Sequence, residues 1–306
     1  MSWTIVGTVP YDDFPMVEAT CELADGKLCI GEHTVPVSRG TTALLAAACM
    51  TASVIGVQPP RAVLAGDIGL GYGSTRVYEH LVGTLKNRTD TKLIVFHYLL
   101  PDIDWHNRIL IELDDLTDRP LLVADAGYMY VAKMSGFATS YDLFTPDTGE
   151  MAFLADEMAP HPFYTRGFLL QEEERIPELI ERAYRHENAP TWLLVKGSCD
   201  LIASGAGIIQ RICEPCVENM EPIGGTGDSL TGIVAALIAS GMPIPAAATL
   251  AAKANRTMGF LTNPSPAFSI ADLLSNLPEA VKLCASAGSL DARPSQAARA
   301  AVTKSF

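Results

Sequence analysis

Residues 221–241 read EPIGGTGDSLTGIVAALIASG. Gly224, Gly225, Thr226, Gly227 and Asp228 run without a break into an apolar, helix-forming stretch. The start of a helix presents backbone N–H groups that lack intrahelical partners, together with about half a positive charge. Glycines let that backbone come close to an anion, so Gly224, Gly225, Thr226 and Gly227 make a candidate phosphate cradle. Asp228 does not belong in a pure anion site, because its charge repels phosphate. It is either an ordinary helix cap, a position where Asp is favoured, or a base. As a base it takes a proton from a hydroxyl while the amides hold the phosphoryl group arriving there. A cap needs no glycine run before it, which favours the base.

Outward from this segment, short apolar runs alternate with helical patterns. RAVLAGD (61–67), KLIVFHYLL (92–100), PLLVADAGY (120–128), YDLFTP (141–146) and TWLLVKG (191–197) read as strands. CELADGKLCI (21–30) reads as a hairpin around Asp-Gly, and DLIASGAGIIQRI (200–212) as a second strand pair. Helices are expected from Thr41 or Thr42, over 73–85, 105–116 and 172–187, from Ser229, and over 246–261 and 270–285. Fully apolar strands alternating with helices imply an α/β fold with a mainly parallel sheet covered on both faces. No repeat and no Pro/Ser-rich linker divides the chain, so one domain is expected over 1–306, with a loosely ordered tail from about 288. Ligands of such sheets bind beyond the carboxyl ends of the strands. That rule gathers Asp67, Asp125, the turn from Thr145, Lys196 and GGTGD on one rim. Gly69, Gly71 and Gly73 form either a second phosphate- or ribose-facing loop or a plain tight turn.

These motifs resemble those of the ribokinase-like superfamily, and within it are most similar to the NAD(P)H-hydrate dehydratases. GGTGDSLTG resembles their anion hole and catalytic aspartate, and FTPDTGE (144–150) their Thr-Pro-His-x-Gly-Glu turn. VADAGY (123–128) resembles their Asp-Ala strand end, and LLVKGSCDLIA (193–203) their Leu-Lys-Gly strand with its hairpin. The resemblance implies a ribokinase-like fold that uses ATP or ADP with Mg²⁺. It makes Asp228 the catalytic carboxylate and Gly224, Gly225, Thr226 and Gly227 the anion hole. Lys196 and Gly197 fall beside the nucleotide phosphates, Asn255 on the adenine pocket, and Asp67, Gly71, Gly73, Asp125 and Thr145 on the substrate side. Asp147 and Glu150 fall where related kinases carry an Asn-x-x-Glu pair that organises magnesium through water. Two carboxylates at that spacing suit a hard cation; they equally suit a turn that caps the next helix. The chain departs from the dehydratases in having Asp147 for their usual His, and CVENMEPI (216–223) for a Gly-Asn stretch. The implied activity is phosphorylation and dehydration of a hydroxylated nicotinamide nucleotide. A small-molecule kinase is the alternative, and a catalytically silent nucleotide-binding protein the third reading.

Composition narrows the partners. A formal charge of −13 over 306 residues argues against nucleic acid or an anionic membrane, which need basic patches. Local amides or a cation can still hold a phosphorylated small molecule. The start, MSWTIVGTVPYDDF, lacks a signal-peptide pattern, and the apolar stretch 41–57 is short for a membrane span and interrupted by Thr and Ser. Seven scattered cysteines suggest free thiols in the cytoplasm. Cys213 and Cys216 have CxxC spacing but no second pair to complete a zinc site. His97 reads as a satisfied core residue, and 159–168 as an ordered loop serving as lid or subunit contact. A homo-oligomer is expected from the resemblance.

Overall fold

The computed structural model describes residues 2–165 and 175–291. Its strands are β1 (Ser2–Val9), β2 (Val17–Ala24), β3 (Lys27–Ile30), β4 (His33–Pro36), β5 (Arg61–Gly66), β6 (Thr91–Phe96), β7 (Leu121–Ala124), β8 (Leu143–Phe144), β9 (Trp192–Val195), β10 (Asp200–Ser204) and β11 (Gly207–Ile212). They form one sheet in the order β11-β10-β9-β8-β7-β6-β1-β5-β2-β3-β4. From β9 to β5 every pairing is parallel, and antiparallel hairpins extend both edges. Successive side chains on a strand point to opposite faces, so each central strand feeds two cores. Ile5, Leu93, Val95, Val123 and Leu194 enter one core; Val6, Ile94, Phe96, Leu122 and Val195 enter the other.

Helices cover both faces. On the first lie α1 (Thr41–Ile55), α7 (Thr226–Ala239), α8 (Ile244–Thr262), α9 (Ile270–Leu274) and α10 (Leu277–Asp291). On the second lie α2 (Tyr72–Thr84), α3 (Ile103–Asp114), α4 (Gly127–Met134), α5 (Thr148–Ala155) and α6 (Ile176–Arg185). The expected helix at 172–187 is thus found from Ile176, and residues 172–174 lie outside the described residues. So do 166–168 of the expected lid loop and the tail from 292. Among the described residues no helix is long and apolar enough to cross a membrane.

Packing of α1 on α7 matters most to the site, because both helices begin at its rim. Ala43, Ala46, Ala47 and Ala48 on α1 are fully buried, and small side chains let the two backbones close. At Gly232 the approach is closest: a Cβ there would lie 2.2 Å from the Leu44 carbonyl oxygen. Gly232→Ala therefore cannot be absorbed by a rotamer change. It is expected to cost about 1–3 kcal/mol of unfolding free energy, the range for an overpacked core, measured by urea denaturation.

The cysteines correct the expectation of free thiols throughout. Cys199 and Cys213 form a disulfide, their Cα atoms 4.2 Å apart. The cause is the hairpin: Cys199 stands just before β10 and Cys213 just after β11, and antiparallel pairing of Asp200 with Ile212 sets them side by side. Cys216, the other half of the CxxC spacing, is free and exposed.

Candidate active site

At the carboxyl ends of the parallel strands, β6 hands over to His97, β7 to Asp125, β8 to the turn from Thr145, and β9 to Lys196. The N-terminus of α7 stands at the same rim, and a cleft of about 790 Å³ opens there. Of the expected site residues, Asp125, Asp147, Glu150, Lys196, Gly197, Thr226, Gly227, Asp228 and Asn255 line it.

The glycine run works through backbone shape. Gly225 takes φ 107° and caps α7 with no side-chain hydrogen bond, a conformation costly for any side chain. The Ser229 N–H bonds the Gly225 carbonyl at 2.8 Å, beginning the helical pattern. The N–H groups of Thr226, Gly227 and Asp228 therefore precede any intrahelical partner. Gly224 packs on the stem of Arg39, and Gly225 lies against Ile270. Asn255, on α8, pins the first turn: its Oδ1 accepts from the Ser229 hydroxyl at 2.7 Å, and its Nδ2 donates to the Thr226 carbonyl at 3.1 Å.

Asp228 is not a helix cap. It stands two residues inside α7, with its carboxylate turned away from the helix backbone. Oδ2 accepts the Gly40 N–H at 2.7 Å, and Oδ1 lies 3.0 Å from His97 Nε2. Burial raises the pKa of this carboxyl, but the His97 hydrogen bond, Lys196 and the Gly40 N–H outweigh it and hold the group at about 2. It is ionised throughout the physiological range.

A second carboxylate lies beneath. Asp125 is 1% exposed and takes three donors: Lys196 Nζ at 2.8 Å, the Thr231 hydroxyl at 2.6 Å and the Ala126 N–H at 2.9 Å. Burial lowers the Lys196 pKa, yet Asp125 and Glu150 more than reverse this and keep the ammonium charged. Asp147 and Glu150 form a capping box at the start of α5: each carboxylate accepts the other's backbone N–H at 2.8 Å. One oxygen of each is thereby used and the other left over. Burial pushes Glu150 to about 8, helped by Asp125 and Asp147 and opposed by Lys196. Near neutral pH this carboxyl holds a proton that a cation would displace.

Several expected residues do not reach the cleft. The Asp67 carboxylate accepts the N–H groups of Gly69, Leu70, Gly71 and Ser74 and the Ser74 hydroxyl, all within 3.0 Å. Partial burial raises its pKa, and these donors more than reverse the effect. It organises its own loop, holding the Gly69–Gly73 segment as a tight turn. Gly73 is glycine for packing: a Cβ would lie 2.1 Å from the Gly66 carbonyl oxygen. Thr145 is fully buried, bonded at 2.9 Å to Thr231 behind Asp125. Residues missed in the sequence take their places. His97, taken for a core residue, is fully buried but reaches Asp228. Gly40 donates to Asp228 from the start of α1. Arg256 binds Asp200 and the carbonyls of Gly197 and Cys213, bracing the wall that carries Lys196. His97, Asp125 and Asp228 each bring a possible metal-ligand atom within 4.8 Å of the others. Their bonds to Thr41, Lys196 and Gly40 already occupy them as a hydrogen-bonded cluster.

No protein-family model matches the chain. Among solved structures, the pyridoxal kinase of Entamoeba histolytica superposes with TM-score 0.55 and 16% identity, over 92% of this chain and 96% of that one. The phosphofructokinase-2 of Escherichia coli, in complex with fructose-6-phosphate, does so with TM-score 0.51 and 10% identity, over 92% and 99%. The pyridoxal kinase of Bacillus subtilis, an ADP complex, gives 0.52 and 13% over 83% and 89%. At such identities the likeness is one of fold, and the fold is ribokinase-like. In sequence, Uncharacterized protein MJ1337 of Methanocaldococcus jannaschii is 38% identical over 223 residues, 72% of this chain and 91% of that protein. The chain belongs to the same family as that methanogen protein.

Proposed function

We propose that the protein is a phosphotransferase that moves a phosphoryl group from ATP or ADP to the hydroxyl of a small molecule. The observation that carries this reading is Asp228: an ionised carboxylate in the cleft, in the first turn of a glycine-led helix whose N-terminus has no side-chain cap. In this reading the acceptor hydroxyl donates to Asp228. As its oxygen bonds to phosphorus, the phosphorus–oxygen bond to the leaving nucleotide breaks and the hydroxyl proton passes to Asp228. A carboxylate this acidic suffices, because the hydroxyl becomes strongly acidic only as the new bond forms. The N–H groups of Thr226, Gly227 and Asp228 face the charge on the transferred oxygens, a role worth about 3–4 kcal/mol per well-aimed donor. Lys196 and Gly197 bound the phosphate end, and Asn255 lines the cleft while bracing the first turn of α7.

Asp125, Glu150 and Asp228 bear on the ammonium of Lys196, and Asp147 stands beside Glu150 in the same cleft, so acidic groups outnumber that cation. That surplus, with the unused oxygens of Asp147 and Glu150, suits Mg²⁺ held through water, which would screen the phosphate charge. The kinase neighbours favour a stable phosphorylated product. The motif order from Asp125 to Asp228 favours a second version, in which the phosphorylated hydrate of NADH or NADPH then loses phosphate.

Nucleotide turnover with a panel of small alcohols, and with hydrated NADH, tests both. Nucleotide consumption that needs an alcohol supports the kinase, and return of the NADH absorbance supports the dehydratase. Binding without turnover on any acceptor would leave a silent nucleotide-binding protein. Turnover should stop with EDTA. Cation binding releases the Glu150 proton, so the apparent Mg²⁺ affinity should rise with pH up to about 8 and level off above.

A further inference from the structure

We propose that Thr41 and His97 are a positioning pair that locks the Asp228 carboxylate in place and keeps it charged. The proposal rests on the reading of Asp228 as the base and adds residues that neither the motif nor the neighbours assign. His97 Nε2 lies 3.0 Å from Asp228 Oδ1, and Nδ1 lies 3.0 Å from the Thr41 hydroxyl. Both side chains are buried, His97 at 0% and Thr41 at 3% exposure. An ionised carboxylate can only accept, so Nε2 carries hydrogen; in the neutral ring Nδ1 is then the acceptor, and Thr41 donates to it. The carboxylate thereby selects the tautomer, and the threonine hydroxyl supplies the donor that the other ring nitrogen then needs.

The surroundings make room for this chain. A Cβ on Gly7 of β1 would lie 2.4 Å from the His97 carbonyl oxygen and 2.9 Å from the Thr41 methyl. Tyr98 sets its ring edge-on to His97, centroids 4.4 Å apart. With Gly40 on Oδ2 and His97 on Oδ1, each carboxylate oxygen keeps one lone pair for the cleft. The other charged or titratable groups facing this pair are Lys196, Asp125, whose Oδ2 lies 3.8 Å from Nε2, and the Tyr98 phenol.

The test is a carboxyl-carbon NMR titration of protein carrying ¹³C-labelled aspartate, with the Asp228 signal identified by its loss in Asp228→Asn. In His97→Leu the Asp228 midpoint should rise by at least about one unit, the size of shift a lost charged or hydrogen-bonded partner produces. Thr41→Val should raise it by less, and Thr41→Ser, which keeps the hydroxyl, should match wild type. If His97→Leu does not fold, the Thr41 pair still decides. An unchanged midpoint in His97→Leu, or identical behaviour of Thr41→Val and Thr41→Ser, overturns the proposal. Turnover separates the two ideas: activity surviving in Asp228→Asn removes the base reading even where the titration shifts as expected.

Discussion

Asp228→Asn is expected to leave a folded protein that binds nucleotide and turns over at least about a thousandfold more slowly, within the 10²–10⁴-fold range for loss of a general base. The structure makes this substitution a clean one. The Asn carbonyl can keep the Gly40 N–H that now bonds Oδ2 at 2.7 Å. Its amide would face His97 Nε2, now 3.0 Å from Oδ1, and two donors cannot share that contact. The imidazole answers by moving its hydrogen to Nδ1, where the Thr41 hydroxyl can accept as readily as donate. Shape therefore survives while the negative charge and the proton acceptor are lost.

Nucleotide affinity gives the matching readout. Asp228 stands in the same first turn of α7 as the proposed anion hole and repels phosphate, so its neutralisation should leave the nucleotide Kd unchanged or tighter. Calorimetric binding together with single-turnover rates checks both halves. Turnover within tenfold of wild type would remove Asp228 from the base role. A large loss of binding would instead make it part of the nucleotide site.

The parts legible in the sequence are those set by short-range physics. The apolar runs at 61–66, 91–96, 121–124 and 192–195 became the parallel strands because a sheet buried on both faces admits no polar alternation. The glycines before Asp228 announced a helix start with backbone open to a ligand, and that is where α7 begins. The residues that escaped depend on tertiary closure. His97 and Gly40 meet Asp228 across 131 and 188 residues of chain, and no local pattern encodes such a meeting. The strand-end rule was too coarse for Asp67 and Thr145: one turns its carboxylate into its own loop, the other its hydroxyl beneath Asp125. The disulfide depends on the hairpin register that sets Cys199 beside Cys213, which the scattered cysteines, expected to be free thiols, did not announce. The structural neighbours bear out the fold.

Lys196→Met should be the most destabilising change in the site, by about 3–5 kcal/mol at pH 8, the cost of breaking a buried ion pair from one side. Lys196 is 13% exposed and Asp125 1%, and their contact is 2.8 Å. Methionine fills much of the lysine stem, so the effect isolates lost charge rather than a cavity. Thr231 and the Ala126 N–H remain on Asp125, but both are neutral donors and cannot balance a buried carboxylate. The pH dependence follows from Glu150, already raised to about 8 with Lys196 opposing the rise. Without the ammonium its folded value climbs further. A group raised above its unfolded value stabilises the fold while protonated and loses that contribution as pH rises through the folded value. Below about pH 8 both folded proteins hold the Glu150 proton, so the deficit of Lys196→Met should stay level there and grow above it, where only the wild type can ionise Glu150 beside the ammonium. Lys196→Arg, which keeps the charge, should recover part of the deficit, and guanidinium denaturation of the three proteins below and above that value measures the pattern. A deficit below about 1 kcal/mol at pH 8 would mean that His97 and the neutral donors suffice for Asp125, and that Lys196 is kept for the nucleotide phosphates alone.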